Sequence, residues 1–155
     1  MSSLEKSGKE SYMFIGTYYH TLEDKGRVAV PKTFRQLLGT GSVATYGLDG
    51  CLFIFTEEGW SKLTDKLSTL PLGSKPARDF LRLLTYNATP IEFDALGRTH
   101  LPENLIALGK LKKEVVFAGA LSRVELWDKQ AYHTYVDSLS ASEATLSETL
   151  GELGI

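Results

Sequence analysis

Short runs of aromatic and β-branched residues, separated by charged or glycine-rich turns, set the pattern of the first third of the chain. Met13-Phe14-Ile15-Gly16-Thr17-Tyr18-Tyr19-His20 reads as a strand, because such side chains suit a pleated surface. A charged glycine turn follows, and Val28-Ala29-Val30 reads as the returning strand. Pro31 suits the first turn of a helix, where its missing N–H has no intrahelical bond to lose. Gly39 and Gly41 end that helix after Leu38. Residues 43–46 and 52–55 predict two more strands, joined by the turn Gly47-Leu48-Asp49-Gly50. Beyond them, Trp60, Leu63, Leu67 and Leu70 recur at helical spacing over residues 57–70. The stretch from Pro71 to Pro76 breaks this helix. A second helix over residues 77–86 places Phe80, Leu81 and Leu84 inward, with Arg78 and Arg82 one turn apart on a solvated outer face.

The pattern then starts again. Leu22-Glu23-Asp24-Lys25-Gly26-Arg27-Val28-Ala29-Val30-Pro31 is echoed by Phe93-Asp94-Ala95-Leu96-Gly97-Arg98-Thr99-His100-Leu101-Pro102, displaced by 71 positions from Glu23 to Asp94. After the two prolines, Phe34 and Leu37 match Leu105 and Leu108 at i, i+3 spacing. Each half then closes on an apolar strand and an aromatic five residues on: Leu52-Phe53-Ile54-Phe55 with Trp60, and Val124-Glu125-Leu126-Trp127 with Tyr132. Solenoid units repeat every 20 to 50 residues or so, a shorter period than this one. The chain reads instead as a tandem duplication of a small strand-rich domain. The expected organisation is an extension over residues 1–12 with nothing to pack, a first repeat over 17–59, connecting helices over 60–86, a second repeat over 88–131, and a C-terminal helix and acidic tail over 132–155.

Composition narrows the class. Half of a 155-residue chain buries too little core to stand alone, so the two repeats should fold together. Hydrophobic content of 43% and charged content of 23% are those of a folded soluble protein. No apolar run approaches the roughly 20 residues of a membrane span, and the first dozen residues lack the apolar core of a signal peptide; a cytoplasmic location is expected. The single cysteine, Cys51, opens an apolar strand and reads as a buried reduced thiol. A net charge of −2 and a pI near 5.9 argue against a generic nucleic-acid binder, which should be basic. The distribution reverses that argument. Asp137, Glu143, Glu148 and Glu152 lie in a tail without Lys or Arg, so residues 1–136 carry all 17 basic residues against 15 of the 19 acids.

The doubled turn holds the chemistry. Glycine there supplies a positive φ or room for a close backbone approach, and an acid four residues before an arginine can pair with it. Glu23/Arg27 and Asp94/Arg98 are therefore ion pairs that fix the turn, guanidinium groups held ready for a ligand, or both. Enzymes need converging groups. His20 and His100 each lie beside a turn but at unmatched positions, and His133 and Cys51 stand apart. No metal-ligand spacing, phosphate-binding glycine loop or nucleophile elbow occurs. Neither catalysis, a cofactor nor a metal is expected.

The motif acid and Gly-Arg-x-x-x-Pro in each of two repeats, the Met13-Phe14-Ile15-Gly16 start and the closing Val124-Glu125-Leu126-Trp127-Asp128 together resemble MraZ, a family of bacterial DNA-binding regulators built from two AbrB-like repeats. The resemblance runs from Met13 to about Leu150. Glu23 stands where the family usually has Asp, and residues 1–12 precede its usual start. The resemblance implies a mainly β fold with α, a swapped-hairpin β-barrel completed by the two repeats within one chain. It further implies closed homo-oligomeric rings that bind short G-rich direct repeats in double-stranded DNA upstream of their own gene, in the operon for division and cell-wall synthesis, and a nucleoid-associated role in autoregulation. Lys25, Arg27, Lys32 and Arg35 cluster in the first copy, whereas the second keeps only Arg98 in the matching turn and helix start. The first copy is thus the expected DNA-facing one, with Arg27 on a guanine edge and Lys25, Lys32 and Arg35 on the backbone. Arg98 has two readings, a second DNA contact or a structural or inter-subunit pair with Asp94. A ring-forming structural or interaction protein with secondary or no DNA binding is the alternative.

Overall fold

The computed structural model describes residues 13–155; the extension expected over residues 1–12 lies outside the described residues. The first copy contains β1 (Thr17–Thr21), a 3-10 turn (Asp24–Gly26), β2 (Arg27–Ala29), α1 (Lys32–Leu38), β3 (Val43–Tyr46) and β4 (Leu52–Phe55). Two helices, α2 (Glu57–Leu67) and α3 (Lys75–Tyr86), lead to the second copy: β5 (Thr89–Pro90), β6 (Arg98–His100), α4 (Glu103–Leu108), β7 (Glu114–Gly119) and β8 (Val124–Asp128). The chain ends in α5 (Lys129–Ala141) and α6 (Glu143–Glu152), so the acidic tail is helical.

The connecting helices differ from the sequence expectation at their ends, for local reasons. Thr56 caps α2 by accepting a hydrogen bond from the Gly59 N–H (2.9 Å). The helix stops at Leu67, not Leu70, where Ser68 and Thr69 hydroxyls donate to the Asp65 and Lys66 carbonyls and compete with the helical ladder. Ser74 caps α3, and Pro76 falls inside its first turn, where a missing N–H costs nothing. Of the three apolar residues expected inward on α3, Leu84 is buried, Leu81 is half-buried and Phe80 is exposed. Leu84 is where the helix rests on β3, its carbonyl accepting from the buried Thr45 hydroxyl at 2.6 Å. Phe80, a turn earlier, overhangs a groove toward α2.

The strands interleave the copies. Among the described residues they form a six-stranded antiparallel sheet in the order β1-β7-β8-β4-β3-β5, and a two-stranded ribbon of β2 and β6. β1 pairs only with β7 of the other copy, and β5 only with β3. The registers obey one pseudo-two-fold axis. Val28 opposite Thr99 marks it in the ribbon, and Phe53 opposite Glu125 marks it between β4 and β8. Tyr19 opposite Val116 in β1–β7 has its counterpart in Pro90 opposite Val43 in β5–β3. No pairing among the described residues closes the large sheet into a cylinder. Each ribbon strand turns back on its edge strand too tightly for a ladder, leaving a single bridge between Leu22 and Val28.

One core serves both copies. Phe34 of α1 and Leu105 of α4, the matched helix positions, are both buried in one cluster with Leu52, Phe117 and Leu126, and Leu37 and Leu108 pack at its margin. A smaller cluster of Cys51, Val116 and Trp127 lies on the other face of the sheet, with Tyr132 and Tyr135 of α5. The Cys51 thiol is buried and donates to the Leu48 carbonyl; burial, aided by nearby Glu125, pushes its pKa far above the usual thiol value. No helix among the described residues is long and apolar enough to cross a membrane.

Candidate nucleic-acid interface

The ribbon presents two faces because side chains alternate along a strand. Val28 and Thr99 point into the core and are buried, whereas Arg27 and His100 stand opposite each other, exposed, on the outer face. Arg98 lies diagonally on that face, opposite Ala29 and half-buried. The turns that lead into the two strands share their closing backbone hydrogen bonds. The Glu23 N–H donates to the Arg27 carbonyl at 2.7 Å and the Asp94 N–H to the Arg98 carbonyl at 2.9 Å. Gly26 and Gly97 both have positive φ, 78° and 77°. At Gly26 the demand is double, since a Cβ would lie 2.6 Å from the Leu101 carbonyl oxygen. Lys25 shares the left-handed region at φ 65°, a conformation that costs a non-glycine residue about 1 kcal/mol or more.

The motif acids diverge. Asp94 Oδ1 accepts from the N–H groups of Leu96 and Arg98, each at 2.9 Å, and Oδ2 accepts from Arg98 Nε at 2.9 Å. The Arg98 backbone N–H above all, with the guanidinium beside it, holds the Asp94 carboxyl below the usual carboxylate range, and Arg98 is raised in turn. Glu23 does not pair with Arg27. Its carboxylate reaches across the ribbon to Arg98 Nη1 at 3.3 Å. The extra methylene accounts for this, because it carries the carboxylate past the turn N–H groups that the shorter Asp94 engages. Arg98 is thereby held by both copies, and Arg27 makes no ion pair among the described residues.

The remaining predicted residues separate into two groups. Lys25 and Lys32 are exposed, Lys25 at the turn and Lys32 in the first turn of α1. Arg35 is half-buried and braces the second turn. Its Nη1 donates to the Val30 carbonyl at 2.9 Å, and its guanidinium lies where a Cβ on Gly97 would stand.

Lys112 and Lys113, which the sequence reading did not single out, join the first turn. The Leu22 N–H donates to the Lys113 carbonyl at 2.7 Å, and one open concavity is lined by Glu23, Asp24, Lys25, Arg27, Lys112 and Lys113. The signal was the run Lys110-Leu111-Lys112-Lys113; only the exchange of strands between copies brings it beside Lys25. By the strand registers, Gly39 and Thr40 occupy the equivalent positions beside the second turn, where Leu96 replaces Lys25. One turn is ringed by lysines; at the matched positions of its symmetry mate stand Leu96, Gly39 and Thr40, with the bound Asp94–Arg98 pair and the Arg35 guanidinium against Gly97.

The histidines do not converge. His20 packs edge-on against Phe117, and burial lowers its pKa; His133 stacks on Tyr19. Among the described residues no three His, Cys, Asp or Glu side chains gather as a metal site.

Comparison with known proteins agrees with the duplication. The family model described as "MraZ protein, putative antitoxin-like" matches the chain twice, over residues 13–83 and 84–152. A protein of Halothermothrix orenii described as "Transcriptional regulator MraZ" is 44% identical over 143 residues, spanning 92% of this chain and 100% of that protein. Proteins of the same description from Alkaliphilus metalliredigens and Moorella thermoacetica are each 41% identical over 143 residues, with the same coverage. The second match begins at residue 84, inside α3, so the first matched unit takes in α2 and most of α3, the helices that link the copies. With both repeats matched and relatives aligned over nearly the whole chain, this protein belongs to the MraZ family.

Proposed function

We propose that this protein is a transcriptional regulator that binds double-stranded DNA with the lysine-ringed end of its ribbon. The observation that carries the reading is the convergence of Lys25 and Arg27 from one copy with Lys112 and Lys113 from the other on one open surface, none of them ion-paired among the described residues. Arg27 is the base-reading residue: exposed, unpaired and on the outer ribbon face, its guanidinium can present two parallel donors to guanine O6 and N7. Lys25, Lys32, Lys112 and Lys113 contact phosphates and set the register. Arg98, tied to Asp94 and Glu23 on the same face, and Arg35, against Gly97, brace the turns.

The reciprocal pairing of β1 with β7 and β5 with β3 supports a swapped-hairpin arrangement in which each repeat completes the other. A single subunit offers few phosphate contacts. A closed ring of subunits holding these surfaces in register would engage successive short G-rich direct repeats upstream of the protein's own gene, and such multivalency multiplies affinity by roughly 10² or more. Autoregulation of a division and cell-wall operon, in the cytoplasm and at the nucleoid, follows from that target.

Fluorescence anisotropy tests the reading, with DNA from immediately upstream of the gene and the same composition scrambled, across about 50 to 200 mM salt. Tighter, salt-dependent binding to the native repeats is expected. Equal affinity for both sequences, or no binding at the lowest salt, would leave the alternative: a ring-forming structural or interaction protein whose DNA binding is secondary or lost.

A further inference from the structure

The last helix buries no residue against the rest of the described subunit. All ten residues of α6 are exposed, and isolated helices shorter than about 12 to 15 residues are marginal in water. Its apolar residues form a stripe. Leu146 and Leu150 lie one turn apart, and Leu153 follows at i+3 just past the end. Glu143, Glu148 and Glu152 accompany them without a single basic residue.

A receptor of the opposite character lies elsewhere on the molecule. β4, α2 and α3 enclose an apolar groove of about 370 Å³, floored by Phe53, Phe55, Leu63 and Leu84 and overhung by Phe80. Lys62 and Lys66 of α2 also line it, as does Arg123, which is ion-paired to Glu125 at 2.8 Å and sits 4.3 Å from the Phe53 ring centre. Lys62 pairs with Glu58 on its own helix. α6 follows α5, which packs on β7 and β8 through Tyr132 and Tyr135, and it does not fill this groove in its own subunit.

We propose that the occupant of the groove is α6 of a second copy of this chain, its leucine stripe over the phenylalanines and its glutamates toward the lysines of α2. The contact deepens the ring reading above and rests on it. Each subunit then carries one donor helix and one acceptor groove on different parts of its surface. Such a head-to-tail contact continues from copy to copy until rotation closes it into a ring.

The test uses the full chain in multi-angle light scattering after gel filtration. Two surface variants are made: Phe80→Glu, which blocks the groove, and the double variant Leu146→Glu with Leu150→Glu, which spoils the helix. Each is expected to run as a single chain of 17.1 kDa, with a thermal melt like that of the parent subunit. Mixed together, they are expected to give one heterodimer of about twice that mass, because one intact groove and one intact helix remain. Rings that survive both substitutions, or variants that fail to pair on mixing, overturn the α6 contact and leave the ring standing. A parent chain that is itself monomeric overturns the ring reading and this contact together.

Discussion

Arg27 and Arg98 occupy equivalent places in the duplicated motif, yet replacing them should damage different properties. Arg27→Ala removes an exposed guanidinium with no ion-pair partner among the described residues. Its effect on folding should therefore fall within the roughly ±0.5 kcal/mol of ordinary surface changes. Its effect on recognition should be larger. A bidentate arginine–guanine contact contributes about 1–3 kcal/mol of discrimination, which at 1.4 kcal/mol per decade is roughly 5- to 150-fold per engaged subunit. Arg98→Ala instead leaves Asp94 and Glu23 without their shared cation and should lower the melting temperature while sparing the preference for native over scrambled DNA.

Anisotropy titrations on the two DNAs, run beside thermal melts, separate the roles. Arg27→Lys adds a sharper distinction: it keeps the charge and loses the planar fork, so binding to scrambled DNA should survive while the preference disappears. Two results would refute the reasoning. If Arg27→Ala weakens binding to both DNAs equally, the arginine holds phosphate and reads nothing. If it lowers the melting temperature as Arg98→Ala does, it belongs to the turn.

The double substitution Lys112→Ala with Lys113→Ala should flatten the plot of log affinity against log salt by about two per engaged subunit, since each phosphate no longer neutralised removes roughly 0.9 from the slope, on native and scrambled DNA alike; an unchanged slope places these lysines off the DNA. Gly26→Ala should cost about 1–3 kcal/mol for its positive φ plus the displacement of the Leu101 carbonyl, whereas at Gly97 the obstacle is the movable end of Arg35. Urea denaturation should rank Gly26→Ala as the more damaging, and the reverse order would contradict the close approach. For Asp94, whose pKa is depressed in the folded protein, the stabilising contribution is complete above the unfolded value near 3.9 and is lost as pH falls through the folded one. Asp94→Asn should therefore melt lower than the parent at neutral pH and approach it below about pH 4; parallel curves down to pH 2 would show that the carboxylate is not charged-paired.

What was legible in the sequence, and what was not, follows the range of the interactions involved. The duplication could be read because it is written in local signals: the turn glycines, the prolines and the i, i+3 apolar pairs, which the fold buries as Phe34 with Leu105. The Glu23–Arg27 pair was misread because spacing along a strand says nothing about one methylene, and that methylene sends Glu23 across the ribbon to Arg98. Lys112 and Lys113 were missed because their partner surface lies some 90 residues away, reached only through the β1–β7 exchange. The basic face of the molecule belongs to neither repeat. Both turns close with the same backbone hydrogen bonds and a positive-φ glycine, although only the first also bends through a left-handed Lys25. The choice of one for DNA rests on side chains that break the symmetry: Lys25 against Leu96, and Lys112 and Lys113 against Gly39 and Thr40. On the proposed reading the lysines of both copies gather around the first turn to take DNA, while Arg98 of the second turn binds Asp94 and the first turn's Glu23 and so ties the halves together.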